Sequence, residues 1–152
     1  MARVSTSGSI LSIGTTAADP SADTFKVIGE ITDIGEFGRV YEEITAKVVN
    51  RRDTVRAKGN YDDGTITLTL NRDLSDEGQA AIYAARDEDD DYNIRIELND
   101  ALKTGAGPHH GTRFDFKAKV FSFTTKLGGS NSFVGATVKL GISGDVTTAA
   151  AA

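Results

Sequence analysis

A mainly β fold is what this chain predicts: antiparallel strands forming a β-sandwich or small barrel, flanked by one α-helix. Three observations carry that expectation. Several segments alternate apolar and polar residues with a period of two, which marks strands with one dry and one wet face. One segment alone carries a helical stripe. Glycine-containing turn signals stand directly ahead of two of the strands.

In chain order, "TFKVIGEITDI" places Phe25, Val27, Gly29 and Ile31 on one side, with Thr24, Lys26, Glu30 and Thr32 mostly on the other. "VYEEITAKVV" is a weaker strand candidate. Polar sequence without clear periodicity then runs from Val48 to Gly64, too long for an ordinary hairpin connection. "YDDGT" signals a turn into "TITLTL", where Ile66, Leu68 and Leu70 oppose Thr65, Thr67 and Thr69. The helix is predicted in "LSDEGQAAIYAARDED", with Ser75 as N-cap and Asp76 and Glu77 in the first turn, where the helix dipole favours acids. Its stripe of Gly78, Ala81, Ile82 and Ala85 is narrow and small, which suits a helix lying close on a sheet. "YNIRIELN" sets Tyr92, Ile94, Ile96 and Leu98 against Asn93, Arg95, Glu97 and Asn99.

One strand changes phase. In "RFDFKAKVFSFTTKL" the apolar side passes from Phe114, Phe116, Ala118 and Val120 to Phe121 and Phe123. That requires a bulge near Val120–Phe121 or a second half that faces a different neighbour. On the second reading Phe121 and Phe123 are subunit-interface aromatics. "LGGSN" then turns into a last strand, "FVGATVKLGI". The total is about six strands and one helix in a single domain spanning residues 1–152. Flexible arms are expected at about residues 1–8 and 145–152, with a long inter-strand loop at about 43–60.

Composition narrows the function. A net charge of −5 gives the whole chain no attraction for nucleic acid or anionic membranes. With no cysteine, disulfides and thiolate metal sites are excluded. No stretch approaches the roughly 18 apolar residues of a membrane span, so no membrane insertion is expected.

The candidate chemical sites are weak. Asp87, Asp89 and Asp91 have the early spacing of a calcium loop, but its sixth position is Tyr92 rather than glycine and its twelfth is Leu98 rather than glutamate. The acid run reads as a solvated turn. Adjacent His109 and His110 have no third metal ligand at a useful spacing. Ser122 and Ser132 lack a nucleophile elbow, and "GTTAAD" lacks the ending of a phosphate loop. No catalytic residue, metal or cofactor is expected. The basic cluster Arg51, Arg52, Arg56 and Lys58 has neither interleaved aromatics nor a basic helix, so it fits an acidic surface on another copy better than nucleic acid.

Together, "GTITLTLNRDLSDEGQAAIYAARDEDDDYNIRIEL" and "FKAKVFSFTTKLGGSNSFVGATVKLGISGDV" resemble the tail tube (major tail) proteins of long-tailed, non-contractile bacteriophages over roughly residues 25–146. The motifs are Glu77–Gly78–Gln79 at the helix start, a helix of small residues to about Arg86, an acidic turn, and Gly135–Ala136 with Val138, Leu140 and Ile142. The resemblance implies hexameric rings stacked into a hollow tube in the virion tail, made in the host cytoplasm. Its partners would be the tape-measure protein, tail-tip and tail-terminator proteins, and DNA in transient passage. It also implies that the 43–60 loop, with Arg51, Arg52, Arg56 and Lys58, reaches the neighbouring ring, and that the arms order on stacking. Glu97 and Asp115, on the polar sides of strands, are candidate lumen-facing acids, although Arg95, Lys117 and Lys119 share those sides. A secretion-system tube of the same fold and a non-catalytic ligand-binding β-sandwich are the alternatives.

Overall fold

The computed structural model describes residues 3–20, 23–102, 105, 107 and 109–152. These form strands β1 (Ile10–Ile13), β2 (Lys26–Val27), β3 (Ile31–Asp33), β4 (Val40–Ala46), β5 (Val55–Asp62) and β6 (Thr65–Asn71), helix α1 (Glu77–Ala85), then β7 (Tyr92–Glu97), β8 (Arg113–Lys126) and β9 (Gly135–Ala149). Seven strands make one antiparallel sheet in the order β2-β1-β7-β8-β9-β6-β3, and β4 pairs only with β5. The architecture is a single curled sheet, a half-barrel, rather than two stacked sheets.

The chain itself shows why the sheet curls. Edge strands β2 and β3 are separated in sequence only by Ile28, Gly29 and Glu30. A flat sheet of seven strands would hold its edges about 29 Å apart, at about 4.8 Å per strand. Three linking residues span roughly 15 Å at most. The segment expected as one strand, "TFKVIGEITDI", therefore breaks at Gly29–Glu30 to bring the two edges together.

Helix α1 plugs the gap. Gly78 lies so close to the Val27 carbonyl and the Ile28 backbone that a Cβ does not fit. The N-cap is Asp76, one residue beyond the expected Ser75, and its Oδ2 accepts from Gln79 N at 2.9 Å and from Gly29 N at 3.1 Å. Asp76 wins because it satisfies two backbone donors at once, while Ser75 turns back to Asp73. Gln79 is fully buried. Its Nε2 donates to the Gly29 and Asn71 carbonyls, both at 3.0 Å, and its Oε1 accepts from Asp73 N and the Arg72 guanidinium. One side chain thus ties the helix to the link between the two edge strands and to the end of β6.

Inside the curl lie Leu11, Ile13, Ile66, Leu68, Leu70, Ile82, Ile94, Ile96, Val138 and Leu140, all at most 2% exposed. The alternation predicted for β6 is the observed one. Those of β7 and β9 hold with two exceptions: Asn93, expected on the wet side, is fully buried beneath Ala17 and Asp23, and Val134, expected inward, is 40% exposed just ahead of β9. The predicted phase change is a bulge, with the β8–β9 register shifting between Val120 and Ser122. A second irregularity lies between Asp115 and Lys117.

Two expectations are corrected here. The expected loop is mostly strand, since β4 and β5 leave only residues 47–54 as the connection. The residues expected as a slack C-terminal arm continue β9 to Ala149, where Thr147 and Thr148 pair with Asp115 and Phe114. His110 and Ala152 then exchange two backbone hydrogen bonds, at 3.0 and 3.1 Å. Backbone pairing needs no large side chain, which is why "TTAAAA" gave no strand signal. Of the N-terminal arm, residues 1–2 lie outside the described residues, and residues 3–8 are exposed.

Candidate functional site

The part of the molecule with least support from its own fold is the β4–β5 hairpin. Every residue of both strands is exposed, except Gly59 at an intermediate level. An isolated two-stranded hairpin is marginal in water and exposes two unpaired strand edges. At seven and eight residues the strands make an arm roughly 25 Å long.

Cross-strand register sorts the arm into two faces. Ile44 pairs with Ala57 and Ala46 with Val55, and the Ile44 side chain also covers Gly59. This apolar face lies open to solvent, with Ile44 56% and Val55 42% exposed. On the other face Glu43 pairs with Lys58 and Thr45 with Arg56. There Arg56 Nε meets Glu43 Oε1 at 3.0 Å, Lys58 stands 4.8 Å over the Tyr41 ring, and Tyr41 packs on Tyr61. At the tip, Arg51 reaches Asp53 at 3.2 Å, and Arg52 makes no ion pair among the described residues. Of the four predicted basic residues, Arg56 and Lys58 therefore lie on the charged face, and Arg51 and Arg52 at the tip.

A cluster that sequence reading missed fixes the arm's root. The Arg39 guanidinium binds the buried Asp63 at 3.1 Å and Asp145 at 2.6 Å, and lies 4.0 Å from the Tyr61 ring. Tyr61 Oη also donates to Asp145 Oδ1 at 3.2 Å. Strands β5 and β9 are thereby joined where the arm leaves the body. Nothing local in the sequence announces this contact, because Arg39 and Asp145 are far apart along the chain.

The aromatic pair divides. Phe123 is 5% exposed and packs edge-on against Tyr83 with ring centroids 5.2 Å apart. It belongs to its own subunit's core, a correction to its expected interface role, because the bulge at Phe121 turns Phe123 inward. Phe121 is 62% exposed, and its ring lies directly over Gly141 on the outer face of the sheet.

That outer face also holds Glu97 and Asp115, as expected, but each is neutralised. Arg113 reaches Glu97 at 2.7 Å, and Arg95 reaches Asp115 at 2.7 Å, both as directly opposed cross-strand pairs. Lys117 and exposed Lys139 add positive charge nearby, so the face is not an acidic wall. The acid run is partly stitched down: Lys119 Nζ binds Asp91 and the Asp89 carbonyl, both at 2.8 Å. The Lys119 hydrogen bond, aided by one from Ser143, holds the Asp91 carboxyl below the usual range, although partial burial opposes it. Glu88, Asp89 and Asp90 are exposed. Part of "GPHHG" lies outside the described residues, and His109 is exposed. Among the described residues no group of three or more acids and histidines can hold a metal, and no helix is long and apolar enough to cross a membrane.

Asp23 pins the segment after β1 over this face. It accepts from Thr15 N at 2.6 Å, Thr15 Oγ1 at 2.7 Å, Thr24 N at 2.8 Å and the buried Asn93 amide at 2.8 Å. Burial raises its pKa, but those four donors outweigh it and hold the carboxyl at about 2.

No protein-family model matches the chain, and no curated protein does. Solved structures do resemble it. A chain from the PVC sheath/tube terminator of an extracellular contractile injection system superposes with a TM-score of 0.71 at 15% identity, covering 99% of each chain. A chain from the SPP1 tail tube gives 0.67 at 13% identity, covering 96% of this chain and 78% of that one. A type six secretion system protein gives 0.50 at 12%, covering 92% and 81%. At these identities the likeness is one of fold.

Proposed function

We propose that this chain is a structural protein that self-assembles into stacked rings, forming a hollow tube of a phage tail. The observation that carries the reading is the β4–β5 arm, whose open apolar face and free strand edges ask for a partner that the subunit does not contain. The fold likeness to the SPP1 tail tube supports a tube as the assembly. Repetition with identical neighbours makes such contacts heterologous, so each subunit offers two different surfaces.

In this reading the tube is that of a long-tailed, non-contractile phage, and the rings are hexameric. It surrounds the tape-measure protein, is capped by tip and terminator proteins, and passes DNA during ejection. The arm, with Arg51, Arg52, Arg56 and Lys58, meets a neighbouring copy, and Phe121 packs on an adjacent subunit. The part of the outer sheet face that bears Glu97 and Asp115, on the other side of the β8 bulge from Phe121, lines the lumen with matched ion pairs rather than bare acids. No catalytic step is assigned to any residue. The likeness to contractile injection system chains favours one alternative, the tube of an injection or secretion apparatus.

Electron microscopy of the concentrated protein, with light scattering on the same sample, is the test. Rings or hollow tubes are expected, and neutralising Arg51, Arg52 and Arg56 together should stop growth while leaving a folded monomer. Normal tubes from that variant would remove the arm from the assembly. A monodisperse monomer at all concentrations, even with tail tips added as nuclei, would count against the tube itself.

A further inference from the structure

The arm's tip and the far end of the sheet carry complementary features. We propose that the tip of one copy seats in a groove at the opposite end of the next copy. The proposal rests on the tube reading and names the surface that receives the arm.

Strand β6 measures the separation. It starts at Thr65, beside the arm's root, and ends at Asn71, about 20 Å away for its seven residues. Beyond Asn71 lies an open groove of about 610 Å³, whose lining includes Glu30, Asp73, Leu74, Phe133 and Val134. Leu74 is 84% and Phe133 86% exposed, so two large apolar side chains stand together in water. Apolar surface grouped in this way marks a contact site more than scattered single residues do.

The groove carries two acids and one arginine, a small negative excess. The arginine, Arg72, has its guanidinium turned to Gln79 Oε1 at 3.0 Å and 5.1 Å from the Phe123 ring, and its positive charge offsets that of neighbouring Asp73. Asp73 is further engaged by Ser75 N and Oγ, which leaves Glu30 as the acid that faces a partner. Glu30 is also the one non-glycine residue with positive φ among those described, at 60°, a conformation that L-residues adopt at a cost. Its carbonyl is held by Asn71 N at 2.8 Å, which keeps the residue at the groove's rim.

The tip offers the counterpart. Val48 and Val49 are 45% and 108% exposed, and Arg51 and Arg52 follow directly. An apolar pair beside a basic pair thus faces an apolar pair beside Glu30, an acid unpaired among the described residues. Two such surfaces attract by charge and exclude water by apolar contact. The full exposure of Val49 means that the tip is not seated in its own subunit's groove. A plug at one end and a socket at the other cannot close into a symmetric pair, so the contact propagates with a fixed polarity.

The cysteine-free chain allows a direct test. Val49→Cys and Phe133→Cys proteins are prepared separately, mixed, oxidised and analysed by non-reducing electrophoresis and peptide mapping, with microscopy of the same samples. Both positions are exposed, so folding is not at stake. A disulfide requires Cα atoms within about 7 Å. The mixed 49–133 product should exceed either like-with-like product by about tenfold, as a specific contact requires, and be absent from a Val49→Cys and Thr67→Cys mixture. As a second arm, Arg51→Glu with Arg52→Glu should lower tube yield about tenfold or more through like-charge contact, and Glu30→Arg in that background should restore it. Tubes without the mixed disulfide and without rescue would overturn the groove and leave the tube reading intact. The mixed disulfide without tubes would keep the groove and sink the tube. Neither tubes nor mixed disulfide would overturn both.

Discussion

The curled sheet and the β4–β5 arm are both antiparallel β structure, yet they differ in what holds them. Every inward side chain of β6 is fully buried, whereas both faces of the arm are wet. In the sheet, strand pairing and burial reinforce one another, and hydrophobic burial at about 25 cal/mol per Å² dominates. In the arm, pairing stands almost alone, fixed at its root by Arg39. Secondary structure that does not serve its own core is available to serve another subunit's.

Substitutions on the two sides should therefore separate stability from assembly. Leu68→Ala, in the sheet, should cost about 3–4 kcal/mol of monomer stability, through lost transfer energy and the cavity left behind. Ile44→Ala, on the arm's open face, should change monomer stability by less than about 0.5 kcal/mol, as is usual for surface sites, yet suppress tube formation. Urea unfolding with light scattering checks both. If Ile44→Ala destabilised the monomer like Leu68→Ala, the arm would have to pack on its own body.

The two phenylalanines repeat the contrast within one strand. Phe123→Ala should cost about 3 kcal/mol as a core truncation. Phe121→Ala, two residues away but on the outer face, should leave the unfolding midpoint nearly unchanged and act only on assembly. Equal losses in urea would mean that the bulge does not divide them.

At the seam between sheet edges, Gln79→Ala should cost about 2–3 kcal/mol, because the Gly29 and Asn71 carbonyls and the Asp73 N–H lose buried partners. The arm's own amides should be unaffected. Hydrogen exchange distinguishes the regions, since Gln79→Ala should speed exchange in β2, β3 and α1, whereas Arg39→Ala should speed it in β4 and β5 alone.

This division also explains which elements could be read from the sequence. Strands β6 and β7 were plain because one face of each is dry, and burial writes the period of two into the residues. The bulge was legible for the same reason: the apolar phase of β8 shifts from Val120 to Phe123. The arm has no dry face in the monomer, so its alternation is confined to Ile44, Ala46, Val55 and Ala57, and it passed for a loop. Its basic residues were visible as a cluster, but their separation into tip and charged face depends on strand register. Gln79 stood in a noticed motif, yet its partners come from residues 29, 71, 72 and 73, and only the curl of the sheet assembles them. The groove at Leu74 and Phe133 had no signal at all, because a turn and a hairpin tip distant in sequence form it.

The smallest expected effect concerns Asp23, which pins a surface segment rather than the core. Its folded pKa of about 2 lies below the ordinary carboxylate value of about 3.9, so its ionised form stabilises the fold. That contribution is complete above the unfolded value, declines as pH falls from about 4, and is gone below about 2. The deficit of Asp23→Asn relative to the parent should therefore be constant from pH 7 to pH 5, shrink below pH 4 and vanish near pH 2. Chemical unfolding across that range measures it, and near-ultraviolet or fluorine probes at Phe25, whose ring lies 4.2 Å from the Arg95 guanidinium, report the segment directly. A deficit that persisted unchanged at pH 2 would mean that Asp23 acts by packing rather than by its charge. Release of the segment at pH 5 would mean that the four donors hold the carboxylate more weakly than their geometry implies. In either case the arm should not respond, since its root is fixed by Asp63 and Asp145 and not by Asp23.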